Sequence, residues 1–169
     1  MSSLALALAS CASPQTTPTS APSPITPTAS TTPSPIAETI CPPTPLNVTI
    51  DYQMTTDVAG GILISATSNL PNGSDLNASF FNEAAGFLAQ DEDTLSDGRV
   101  SFGPFSDRGT PLAGAYDFSI TFPIATNQSA AVRDCIGQHG ELLVGPLVSV
   151  EEITGDNVAS LNERLVIEP

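Results

Sequence analysis

The chain contains no Lys and no Trp, one His, two Met and three Cys. Its four basic residues, Arg99, Arg108, Arg133 and Arg164, are scattered and stand against 18 acidic ones, for a formal net charge of −14. Phosphate recognition needs clustered cations, so the composition excludes nucleic acid as a partner and disfavours direct contact with anionic lipid headgroups. Charged residues are only 13% of the chain, about half the usual share for a soluble domain. No apolar run reaches the roughly 18–20 residues of a membrane-spanning helix. Catalytic signatures are also sparse. No Ser stands in a G-x-S-x-G elbow, and no second His provides a zinc-ligand spacing. No cofactor is implied.

What is present falls into three segments. Residues 1–10 read MSSLALALAS, an alternating Leu/Ala run that ends in Leu8-Ala9-Ser10-Cys11. An apolar stretch followed by small residues and a Cys resembles the lipobox of prokaryotic lipoproteins. The resemblance implies cleavage between Ser10 and Cys11, acylation of the Cys11 thiol, and an exported protein lipid-anchored at the periplasmic or extracellular face. No Lys or Arg precedes the apolar run, which departs from the family pattern. Stable anchoring takes at least two acyl chains, which lipoprotein maturation would supply on Cys11.

Residues 11–45 follow as a linker. From Ala12 to Pro45 there are ten Pro, nine Thr and five Ser, with Glu38 the only charge. Such a composition cannot bury enough apolar surface to offset the entropy of ordering, so a disordered stalk is expected. In polyproline-like conformations, Ala12 to Ile40 could reach roughly 90 Å at about 3.1 Å per residue. The acidity of the rest reads as a solubility device for a domain held off the membrane.

Residues 46–169 hold all nine aromatics and a period-two pattern. Val48, Ile50, Tyr52 and Met54 alternate with polar residues, and Gly61–Ser68 is a β-branched apolar run. Leu70-Pro71-Asn72-Gly73-Ser74 is a turn signal, with Leu76–Phe81 the next strand. Arg99–Phe105, interrupted by Gly103-Pro104, predicts an edge or a bulge. Tyr116, Phe118, Ile120 and Phe122 give the cleanest alternation, and Leu142–Val150 and Val158–Ile167 complete the set. Ser129–Ile136 predicts one short helix with Val132 and Ile136 on a shared face. The expectation is an all-β chain: a single antiparallel β-sandwich of about seven strands and one helix.

Leu112-Ala113-Gly114-Ala115-Tyr116, entering a strand, resembles the tyrosine corner of immunoglobulin-like and fibronectin-type sandwiches. The resemblance implies that the Tyr116 hydroxyl bonds back to the backbone a few residues upstream. The segment is also similar to the strand entry of prealbumin-like sandwiches. The stretch from Leu70 to Leu147 resembles small exported bacterial modules without an assigned activity.

With Cys11 assigned to lipid, Cys41 and Cys135 form an even pair, which in an exported protein favours a disulfide; two buried free thiols are the alternative. His139, between two glycines, reads as a turn residue; catalysis would require a nucleophile and an orienting group, with Asp134 and Glu141 nearest in sequence. Gln90–Gly98 is the densest acidic stretch and is expected to be a solvated loop between strands. Asp91, Asp93 and Asp97 are its calcium candidates. Asp91 and Asp93 match the first two ligand positions of an EF-hand loop, but Leu95 and the missing twelfth-position Glu break the motif. Asn47, Asn72, Asn77 and Asn127 open N-x-S/T sequons, which a prokaryotic setting leaves without consequence.

Together these features predict a membrane-anchored, non-enzymatic binding or structural module contacting an envelope protein or surface component, with the acidic 90–98 stretch as the default contact loop. The alternatives are an envelope glycan or peptide hydrolase and a calcium-tuned adhesion module.

Overall fold

The computed structural model describes residues 41–168. The expected cleavage and lipidation site at Ser10–Cys11 and residues 12–40 of the expected linker lie outside these residues. Within them the chain is all-β, with ten strands and one short α-helix. The elements are β1 Leu46–Asn47, β2 Ile50–Thr56, β3 Ile62–Ser68, β4 Asp75–Asn82, β5 Phe87–Thr94, β6 Arg99–Phe105 and β7 Gly114–Phe122. They continue with α1 Ala130–Ile136, β8 Leu143–Val144, β9 Val148–Val150 and β10 Asn157–Ile167. A five-stranded antiparallel sheet in the order β5-β4-β7-β10-β9 packs on a three-stranded antiparallel sheet, β2-β3-β6.

The alternation read from the sequence sets the inner faces. Leu76, Ala78 and Phe80 of β4 and Phe118, Ile120 and Phe122 of β7 are all buried against Ile62, Ile64, Val100 and Phe102 of the smaller sheet. Aromatic rings bridge the layers. Phe80 lies 5.0 Å, centroid to centroid, from Phe105, and Tyr52 lies 4.9 Å from Phe118. Full burial of each such ring contributes roughly 1.5–3 kcal/mol.

Three strand expectations are corrected. Residues 87–94 are a strand, not a loop. Leu142–Val150 is broken at Gly145-Pro146 into β8 and β9, because Gly145 takes φ 112° and Pro146 has no N–H for a ladder. β8 pairs in parallel with β1, so the sandwich carries a small two-stranded parallel element beside its antiparallel sheets. β6 is an edge strand with a register shift opposite Ile62 and Ile64, as Gly103-Pro104 predicted. Gly103 has φ 101°, and a Cβ there would collide with the Ile62 carbonyl oxygen.

α1 begins where the sequence provides a cap. The Ser129 side chain accepts the Val132 N–H, and Val132 and Ile136 are fully buried. Gly137, with φ 92°, ends the helix. Cys135 on the buried face is bonded to Cys41, with Cα atoms 5.0 Å apart and a sequence separation of 94. The bridge fixes the start of the folded region beside α1. From there β1 runs alongside β8, with Leu46 N–H donating to Leu142 and Val48 N–H to Val144.

Candidate functional site

Tyr116 occupies the corner that its segment predicted. Its hydroxyl donates to the Ala113 carbonyl at 3.2 Å, and its ring packs edge-on to Phe80 and Phe87. Leu112 is buried, and Gly114 supplies φ 111° at the strand entry. This is a structural constellation holding β7 in place.

The acidic stretch serves the fold in a way its composition does not suggest. Asp91 and Asp93 alternate with outward-facing residues of β5, the outer strand of the larger sheet, and turn toward the smaller one. Asp91 Oδ2 accepts the Gly103 N–H at 2.7 Å, and Asp93 Oδ2 accepts the Ser101 N–H at 3.3 Å. Both donors lie on β6, the edge of the other sheet. Strand edges expose unpaired N–H groups, and inward-pointing charges are one way to block them. Asp97 takes φ 50° in the β5–β6 turn, away from this pairing. Among the described residues no three His, Cys, Asp or Glu side chains gather into a group able to hold a metal ion.

His139 lies on the turn after α1, as expected, but neither Asp134 nor Glu141 orients its ring. That partner is Asp156, whose Oδ1 stands 2.7 Å from His139 Nδ1. The Asp156 side chain is 3% exposed and the imidazole 69% exposed. The other Asp156 oxygen is buried and without a hydrogen-bond partner among the described residues. Asn157 N–H donates to the His139 carbonyl at 2.8 Å, which aligns the two loops. Glu141 instead folds over Gly137 and accepts the His139 backbone N–H at 2.8 Å. Hydrogen bonds from its own N–H and from that of His139 hold its carboxyl below the usual glutamate range. No local pattern marks Asp156, which is 17 residues from His139.

The β9–β10 loop that carries Asp156 is locally satisfied. Glu151 Oε2 accepts Thr154 N–H at 2.8 Å, Ile153 N–H at 3.1 Å and the Thr154 hydroxyl at 3.0 Å. These bonds, the Thr154 amide first among them, lower the Glu151 pKa.

The outward side of the five-stranded sheet is the face with ligand-like chemistry. Register places its side chains in three cross-strand rows. One row runs Leu88–Phe81–Asp117–Arg164, the next Gln90–Ser79–Ser119–Asn162, the third Glu92–Asn77–Thr121–Ser160. Phe81 is 41% and Leu88 57% exposed, and the two pair directly. Arg164 Nη1 donates to Asp117 Oδ1 at 2.8 Å. Ser79 and Ser119 hydroxyls are 2.8 Å apart, and Ser160 donates to Thr121 at 3.1 Å. A groove of about 420 Å³ runs over Ser79, Phe81, Asp117, Ser119, Asn162 and Arg164. The Phe80-Phe81 doublet is the sequence signal for this face, since alternation must send one of the two rings outward.

A second groove, about 540 Å³, lies over the outer face of the three-stranded sheet, across the rows Asp51–Thr67–Arg99 and Gln53–Ser65–Ser101. It is larger, but its outward side chains are all polar and it has no exposed aromatic platform.

No family model matches the chain, and comparisons with curated proteins and with solved structures find no match.

Proposed function

We propose that the protein is exported and lipid-anchored through Cys11, and that its acidic β-sandwich is a non-enzymatic binding module at the cell envelope. The observation that carries the binding role is the outer face of the five-stranded sheet. There an exposed aromatic and aliphatic pair adjoins uncharged hydrogen-bonding side chains on rigid central strands. Binding surfaces combine apolar contact area with a few fixed polar groups. The export reading rests on Leu8-Ala9-Ser10-Cys11 and is supported by the Cys41–Cys135 pairing, since disulfides persist in oxidising compartments. The partner is an envelope protein or surface component, reached on a Pro-rich tether.

The test is the non-reducing intact mass of the mature protein from a detergent-extracted membrane fraction. The expected mass is that of a chain starting at acylated Cys11, less two hydrogens for one disulfide. An unprocessed chain with three free thiols would overturn the reading.

The His139–Asp156 pair favours a second reading, a hydrolase acting on envelope glycans or peptides. A carboxylate behind an exposed imidazole is the orienting half of an acid–base pair. That reading requires turnover that disappears in His139→Ala.

A further inference from the structure

We propose that the groove on the outer face of the five-stranded sheet binds a neutral oligosaccharide, Phe81 forming the platform beneath a sugar ring and Ser119, Asn162 and the Asp117–Arg164 pair its polar rim. The proposal rests on the binding-module reading and gives it a ligand class and a site.

The chemistry of the surface selects the ligand. Phe81 and Leu88 expose contiguous apolar area at one end of a row, and Asp117 and Arg164 occupy the other end. A ligand matching that row has an apolar face and a polar edge. A pyranose has both, with axial C–H bonds on one face and hydroxyls around its rim. Ser119 and Asn162 offer donors and acceptors together, which suits hydroxyls that are themselves both. The Asp117 carboxylate and Arg164 guanidinium neutralise each other at 2.8 Å. Glu163, also beside the groove, is committed to the Tyr52 hydroxyl at 2.6 Å on the inner side. With the Glu163 carboxylate turned to the inner face, the outward side chains over the groove, Ser79, Phe81, Asp117, Ser119, Asn162 and Arg164, sum to zero charge in a chain of net charge −14. Charge complementarity then favours a neutral ligand. A polyanion is repelled by the whole molecule, and a cation finds the Asp117 carboxylate already paired with Arg164.

Placement supports the same choice. β4 and β7 are internal strands of the sheet, and β10 is bonded along its length to β7. The ladder holds their backbones, so little backbone ordering is needed when a ligand arrives. The groove is open and shallow, so a dissociation constant on the order of 1 mM is expected for a short oligosaccharide.

The test is an amide chemical-shift titration of the full chain with cello-, malto-, manno- and chito-oligosaccharides, with the same mixtures analysed by chromatography for cleavage. Saturable shifts centred on Phe81, Ser119 and Asn162 with one of these sugars, and no products, are the expected result. Phe81→Ala is expected to weaken binding about tenfold, and Phe81→Tyr to retain it. Asn162→Ala is expected to lose binding while the spectrum stays folded. Saturable binding accompanied by cleavage would support the ligand class and overturn the non-enzymatic reading. Binding that maps to Asp51 and Arg99 on the other sheet, or binding unchanged in Phe81→Ala, would overturn the site. No saturable shift with any of the four sugars would overturn the ligand class, while the intact-mass result judges the anchored-module reading separately.

Discussion

The exposed imidazole of His139 is held at 2.7 Å by the buried carboxylate of Asp156, a contact that ties the turn after α1 to the loop before β10. The stability of this corner depends on the contact because, among the described residues, Asp156 Oδ1 has no partner but His139 and Oδ2 has none. Removing His139 leaves a buried carboxylate without its donor, at a cost of about 1–3 kcal/mol. His139→Ala is therefore expected to lower the unfolding free energy by that amount. Adding Asp156→Asn, which removes the buried charge, should recover part of it. Urea denaturation of the single and double variants measures both.

Tyr52 gives a second prediction, on the alkaline side. Burial, the hydrogen bond to Glu163 and the repulsion of that carboxylate push its pKa up from 10.0 to about 12. A raised pKa means that the folded state keeps its proton after the unfolded chain has lost it. The contribution is therefore fully present below pH 10 and is lost as pH rises through about 12. Glu163→Gln should move the Tyr52 ionisation back toward the ordinary range. Tyrosinate absorbance during a pH titration, compared between Glu163→Gln and the unsubstituted protein, checks this.

Glu151 predicts the opposite sign at acid pH. Its carboxyl is held low by the amides of Thr154 and Ile153 and the Thr154 hydroxyl. That stabilisation is present above the unfolded glutamate pKa and is lost as pH falls through the lowered folded value. The β9–β10 loop should therefore loosen first on acidification, and in Glu151→Ala it should already be loose at neutral pH. Amide exchange at Ile153 and Thr154 measures the loosening.

The pairing of Asp91 and Asp93 with β6 predicts an effect on association as well as stability. Asp91→Ala/Asp93→Ala frees the Gly103 and Ser101 amides and removes two inward charges from the sandwich edge. Exchange at those two amides should accelerate, and concentration-dependent self-association should rise. Hydrogen exchange and sedimentation velocity are the respective readouts. Unchanged exchange at Gly103 would refute the closing role.

Cys41→Ser/Cys135→Ser removes a crosslink closing a loop of sequence separation 94. The chain-entropy model gives about 4–5 kcal/mol for such a loop, a figure that measured cases often fall below. The expected outcome is a lower melting temperature, with early exchange at Leu46 and Val48, whose N–H groups bond to the β8 segment. Calorimetry combined with exchange separates global loss from local detachment.

The sequence by itself determined the sandwich, because burial of alternate side chains is a local rule. Leu76, Ala78 and Phe80, and then Phe118, Ile120 and Phe122, announce their strands and their inner faces without reference to any partner. Val132 and Ile136 announced the helix for the same reason: a shared helical face is set within four residues. The pairing of Cys41 with Cys135 followed from counting thiols, though not its position beside α1. The tertiary structure alone decided the rest. Asp91 and Asp93 belong to residue types depleted in strands, so their stretch reads as a loop until the amides of the opposite sheet edge come within reach. Asp156 is one of 18 acidic residues, and only the approach of two distant loops selects it for His139. The outer groove likewise needs register: Phe81, Asp117 and Arg164 are far apart along the chain and become one row only when β4, β7 and β10 are laid side by side. Strand formation is local, whereas recognition surfaces on a sheet are made across strands, and the cross-strand register is set by the packed core as a whole.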